Sequence, residues 1–170
     1  MKSKVLWCSL VVAVFATAVY AGSVFATPSA SLGTTTVARS PFDPIDLNAR
    51  AKLPDFWKAR LKTKGITDVY VIRNTLAAKT DTTPAGTTGW HSHPGPSLIL
   101  VTQGTVTNYT ADNCGGQQYS AGAGFIDPGG DNVHMLRNDG TMPAETIAVQ
   151  FIPSRVDRKI DEPAPRNCDQ

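Results

Sequence analysis

The sequence predicts an all-β barrel or sandwich, on three observations. Short stretches alternate apolar and polar residues with period two, the pattern of strands with one wet face. Gly and Pro punctuate those stretches, 14 and 12 of them in 170 residues, as turns between short strands require. Thr is abundant, with 19 in the chain, and suits a pleated surface better than a long helix. One domain is expected at this length, with enough chain to bury a core without obligatory metal or disulfides. A composition of 41% hydrophobic and 18% charged residues excludes a wholly disordered chain. A formal net charge of +2 falls short of the basic balance of a nucleic-acid binder, so no nucleic-acid partner is expected.

The elements follow in chain order. Lys2 and Lys4 precede an uncharged run from Val5 to Ala26, and the next charge is Arg39. Val19-Tyr20-Ala21 and Val24-Phe25-Ala26 offer small-residue cleavage sites directly after that run. This is the pattern of a secretory signal peptide over residues 1–26. An uncleaved N-terminal anchor is the alternative, and in that case alone the chain contacts a membrane, because the run is long enough to span one. Both place the remainder outside the cytoplasm, secreted or periplasmic. Cleavage removes two of the 16 basic residues, leaving 14 against 14 acidic ones and no formal net charge. It also removes Cys8 and leaves Cys114 and Cys168, a number that pairs in an oxidising compartment.

Residues 27–44, with Pro28, Gly33 and several Ser and Thr, are expected to be a flexible linker. A barrel over 45–160 and a tail over 161–170 follow. Ile45 to Lys52 is the one short helix expected, with Asp43 as its cap before Pro44. From Trp57, a strand sets Trp57, Ala59 and Leu61 against Lys58, Arg60 and Lys62, and the basic run is read as a solvated face. Further strands are expected over Thr67–Leu76, Ser97–Thr102, Thr105–Thr110, Gly124–Asp127, Val133–Arg137 and Thr146–Ile152. Cys114 is placed in a loop, and a disulfide to Cys168 is expected to clamp the tail to the barrel.

The chain has three histidines, His91, His93 and His134. His91 and His93 form a His-Ser-His triplet, and on a strand residues two apart share a face. Two imidazoles side by side are the start of a first-row metal site. The surrounding stretch is Pro84 to Pro94, then a strand and Gly104. Further on stand Gly122, Pro128-Gly129-Gly130, His134 and Asn138. This set resembles the two motifs of the cupin superfamily, over roughly Asp68 to Ile152. Gly122 lies six before Pro128 and Asn138 four after His134, as in that family. The resemblance implies a cupin-like jelly-roll β-barrel with His91, His93 and His134 as ligands of a divalent transition metal (Fe, Zn, Mn, Ni or Cu).

Two departures from the family pattern stand out. The step from Pro128-Gly129-Gly130 to His134 is one residue longer. The family's glutamate ligand would fall at or near Ser97, and no Asp or Glu occurs between Thr82 and Ala111. A three-histidine site with open positions is one reading; open positions mark a catalytic rather than a structural site. Three-histidine iron sites of this kind occur among cupin dioxygenases, so an enzyme here would carry out an oxygen-dependent oxidation. The other reading is a metal-free pocket that binds a small ligand or only packs.

Weaker candidates surround the histidines. Ser97, Gln150 and Tyr109 are candidates for the pocket wall. Asp127 and Asp131 are the acids nearest His134 and are placed either behind its imidazole or in the turn beside Pro128. Trp90 is expected on the opposite strand face from His91, in outer packing or a dimer contact. Asn108-Tyr109-Thr110 matches a glycosylation sequon of the kind common by chance. The expected partner is a small molecule, with a homodimer left open.

Overall fold

The computed structural model describes residues 25–52 and 56–168. The expected signal segment falls almost entirely outside the described residues. Among the described residues twelve strands form: β1 Leu32–Phe42, β2 Asp46–Ala51, β3 Trp57–Lys62, β4 Thr67–Leu76, β5 His91–His93, β6 Ser97–Gln103, β7 Thr105–Thr110, β8 Asn113–Ser120, β9 Gly124–Asp127, β10 Gly130–Arg137, β11 Ala144–Pro153 and β12 Ile160–Asp161. Two five-stranded antiparallel sheets, ordered β1-β4-β11-β6-β9 and β12-β5-β10-β7-β8, face each other as a jelly roll. A separate β2-β3 ladder stands outside them.

Period-two patterning decides which side chains enter the interior. Along β6 the residues Ser97, Ile99 and Val101 are buried while Leu98 and Leu100 are exposed. Along β11 the buried parity is Ala144, Thr146, Ala148, Gln150 and Ile152. Leu76, Val101 and Ala144 of one sheet pack with Val106 and Leu136 of the other. Ile72, Ile99 and Ala148 continue this core within the first sheet. Each large aliphatic side chain so buried contributes roughly 2 kcal/mol. On the outer face of the first sheet Leu98 and Ile126 lie directly opposite each other and both are exposed, as is Leu100.

Several expectations are corrected. Residues 32–42 are not a flexible linker: they pair with β4 from Leu32↔Leu76 to Phe42↔Thr67. Arg39 fastens that strand to the buried carboxylate of Asp68 at 2.7 Å. The expected helix over Ile45–Lys52 is the strand β2, because Leu47 and Ala49 alternate with polar neighbours and meet Leu61 and Ala59 of β3. Cys114 lies not in a loop but on β8, which pairs with β7. Asn138 belongs to the second motif yet does structural work away from the histidines. Its fully buried side chain donates to the carbonyls of Leu76 (3.1 Å) and Met142 (2.8 Å) and accepts from the Gly140 N–H (3.0 Å).

The C-terminal segment is a strap. β12 pairs with β5 at one edge of the second sheet, and Glu162 N–H reaches the Trp90 carbonyl. The strap then ends on the opposite edge strand, where Cys168 bonds Cys114 across a sequence separation of 54. A closed loop of this length contributes about 4 kcal/mol in the chain-entropy picture. The Cys114→Ser, Cys168→Ser variant should therefore unfold at lower urea, with a loss of about 2–4 kcal/mol. An unchanged midpoint would remove the strap from the account of stability.

Candidate metal centre

All three histidines project from the second sheet. His91 and His93 share a face of β5, and His134 on β10 lies in register with His91. The extra residue before His134 is absorbed by a register shift between Gly130 and His134. The Pro128-Gly129 turn needs its glycine: Gly129 has φ +72° and a Cβ there would lie 2.4 Å from the Gly95 backbone. The first motif depends on Gly89 in the same way, with φ +66° and a would-be Cβ 2.1 Å from the Thr27 carbonyl oxygen.

Each imidazole is held from behind through Nδ1. His91 Nδ1–H donates to the Gly89 carbonyl at 2.8 Å, His93 Nδ1–H to the Arg158 carbonyl at 2.5 Å, and His134 Nδ1–H to Asn108 Oδ1 at 3.2 Å. Because each partner is an oxygen acceptor, Nδ1 carries the proton and Nε2 keeps its lone pair. One ligand nitrogen from each ring lies within 4.8 Å of the others. Ring centroids are 4.4–5.6 Å apart. All three side chains are buried.

Burial pushes His91 well below the usual imidazole range, and the neighbouring His134 and His93 add to the shift. Burial lowers His93 as well, against the Arg158 carbonyl bond and the Asp127 charge. Burial takes His134 down to about 4, against the raising effect of Asp127. The rings are therefore neutral near pH 7, the form in which imidazole binds metal.

The facing sheet contributes a polar row. Gln150, Ser97 and Asp127 are direct cross-strand partners on β11, β6 and β9, so they share the interior face. Gln150 Nε2 contacts His93 Nε2 at 3.3 Å and donates to Ser97 Oγ at 3.2 Å. Between the sheets lies a cavity of about 40 Å³ lined by the three histidines, Ser97, Thr146 and Gln150. Arg158 and Lys159, from the strap, add positive charge to its wall, and Arg158 Nη1 bonds Gln150 Oε1 at 3.3 Å.

The structure thus brings His91, His93, His134, Ser97 and Gln150 together. Tyr109 is corrected: it lies outside the cavity, because on β7 it pairs with Met135 whereas Asn108 takes the inward parity opposite Leu136. Its hydroxyl donates to Asp139 and accepts from Arg137, whose guanidinium sits 4.6 Å over the ring. Asp131 is exposed, while Asp127 is buried beside His134. Trp90 is buried near Thr27 and Pro28, with its backbone N–H donating to Thr27 Oγ1. The sequon residue Asn108 bonds His134, a role that only the β7–β10 pairing creates. Arg158 and Lys159 had no motif to mark them.

The donor set fits a first-row transition metal. Three neutral imidazole nitrogens converge, and buried His134 Nε2 has no hydrogen-bond partner. Fold and site together define an all-β jelly roll carrying a buried three-histidine cluster. No protein-family model matches the chain, and no curated protein does. Similar solved structures include double-stranded β-helix and cupin proteins. A double-stranded β-helix domain protein from Klebsiella pneumoniae is 18% identical, with 71% of this chain and 86% of that one covered and a TM-score of 0.45. A cupin domain from Bordetella pertussis is 16% identical over 65% of this chain and 96% of that one, TM-score 0.41. An oxalate oxidase in complex with the substrate analogue glycolate is 25% identical over 48% of this chain and 41% of that one, TM-score 0.38.

The buried neutral imidazoles set a pH dependence. Their folded-state pKa values lie below the ordinary 6.5, with His134 at about 4. Between those values the unfolded chain binds more protons, so stability rises with pH there. The contribution is complete above pH 6.5 and is lost as pH falls from 6.5 toward 4. Melting temperature in chelator should drop steeply across that window, more so than in a His134→Gln variant. Parallel profiles would contradict the neutral buried ring.

Proposed function

We propose that this chain is an exported cupin-like protein that holds a divalent transition metal on His91, His93 and His134 and binds or oxidises a small molecule beside it. The observation that carries the reading is the set of Nδ1 bonds to Gly89, Asn108 and Arg158, which leaves three unprotonated nitrogens directed at one cavity. When bound, the metal supplies a Lewis acid and, if iron or copper, an electron carrier.

The chain's own residues define what fits beside it. A cavity of about 40 Å³ holds one to a few waters, so the ligand is a small one of a few heavy atoms unless the strap moves. Arg158 and Lys159 in the wall favour an anion. Gln150 and Ser97 supply an amide and a hydroxyl to orient it. The disulfide suits an oxidising compartment and supports export. Exposed Leu98, Leu100 and Ile126 support a homodimer through the outer face of the first sheet. A metal-free binding or structural barrel is the second reading, favoured by the contact between the Gln150 amide and His93 Nε2.

Elemental analysis and titration separate the two. Protein purified from its native compartment should carry near-stoichiometric metal. The His91→Ala, His93→Ala variant should lose at least 100-fold in zinc or cobalt affinity. Metal content that is substoichiometric and equal in both proteins would overturn the metal reading.

A further inference from the structure

The carboxylate missing from the first motif has a counterpart on the neighbouring strand. Asp127 stands directly opposite Ser97 in the β6–β9 register, one strand spacing away from the position the resemblance reserves for glutamate. Its side chain is almost completely buried. Oδ1 is fully used, accepting from the Gly129 N–H at 3.1 Å and from Asn132 Nδ2 at 2.9 Å. Oδ2 has no hydrogen-bond partner, and neither has His134 Nε2. These two orphaned atoms face each other at 3.8 Å.

That juxtaposition has a definite chemical meaning. A carboxylate that merely orients a metal-binding histidine accepts from the ring's far N–H. In His134 that N–H, on Nδ1, is already given to Asn108, and Asp127 approaches from the coordinating side instead. A carboxylate oxygen and an imidazole lone pair then oppose each other between the sheets, and neither has a hydrogen-bond donor, which disfavours the metal-free arrangement. Moving the ring proton to Nε2 does not cure this, since 3.8 Å is beyond hydrogen-bond reach. A cation bonded to both atoms does. Metal bonds of about 2.0–2.2 Å put two donors between about 3 Å apart when adjacent and about 4.2 Å when opposed, and the observed separation lies inside that range.

We propose that Asp127 is a fourth protein ligand, through Oδ2, of the metal held by His91, His93 and His134, replacing across the strand the carboxylate that Ser97 cannot supply. The inference rests on the metal-binding reading above. The site would then offer a bound metal three neutral nitrogens and one anionic oxygen. Arg158 and Lys159 stand at the cavity wall.

The test is titration of chelator-treated protein with cobalt and zinc, comparing wild type, Asp127→Asn and His91→Ala, His93→Ala. Asparagine keeps an oxygen for Gly129 and Asn132 and removes the buried negative charge that faces His134 Nε2. The metal-free Asp127→Asn protein should therefore melt no lower than wild type, while its metal affinity falls at least tenfold and its cobalt visible spectrum changes. The infrared difference spectrum of wild type on zinc binding gives a reading free of any variant, and one carboxylate band should shift. Wild-type affinity and spectrum in Asp127→Asn, or no carboxylate shift, would overturn the assignment of Asp127 alone if the double-histidine variant has lost binding. Unchanged binding in the double-histidine variant would overturn the metal reading itself.

Discussion

Three imidazoles buried in one place impose a condition that the surrounding structure must meet. Each ring carries an N–H that cannot be left without an acceptor. The three acceptors come from three different parts of the chain: the Gly89 turn before β5, Asn108 on β7 and Arg158 on the strap. Losing any one would strand a buried donor at a cost of about 1–3 kcal/mol and free its ring to rotate. The left-handed Gly89, the β7–β10 register and the pairing of β12 with β5 therefore serve the same end, which is to aim three Nε2 atoms at one point.

This condition divides the barrel in two. One end is filled by Leu76, Val101, Val106, Leu136 and Ala144, and aliphatic burial there is favourable by roughly 2 kcal/mol for each large side chain. The other end holds His91, His93, His134, Ser97, Gln150 and Asp127, whose orphaned atoms oppose folding. Apolar packing at the first end, together with the Cys114–Cys168 closure, offsets the polar end. That is the expected distribution when a site is kept for binding rather than for stability.

How much of this was legible in the sequence follows from where each residue sits in its strand. β4, β7 and β9 have the bounds that the sequence predicts, because one face of each meets the core and turn residues punctuate the chain between strands. β1 and β8 escaped notice, and both are edge strands. β1 is Thr-rich and exposed over almost its whole length, and β8 carries Cys114-Gly115-Gly116-Gln117-Gln118, so neither has an apolar alternation to read. The histidines were legible because their motif spacing is local. Asn108 and Arg158 were not, since each meets its histidine through strand pairing or a strap, 26 and 65 residues away in sequence. Tyr109 was misplaced by a single step of parity.

The same pairing logic governs the charge of the site. In an antiparallel sheet, residues directly opposite share a face, so a side chain needed at one point of the interior has two neighbouring strands from which to come. Gln150, Ser97 and Asp127 occupy one such row. The Asp127 carboxylate in that row, acting from β9, raises the pKa of His93 and of His134, although β6 itself carries no acidic residue. The local motif and the site are thus different objects. The motif is a stretch of chain, whereas the site is a patch of two facing sheets, and only the second has to be electrically complete.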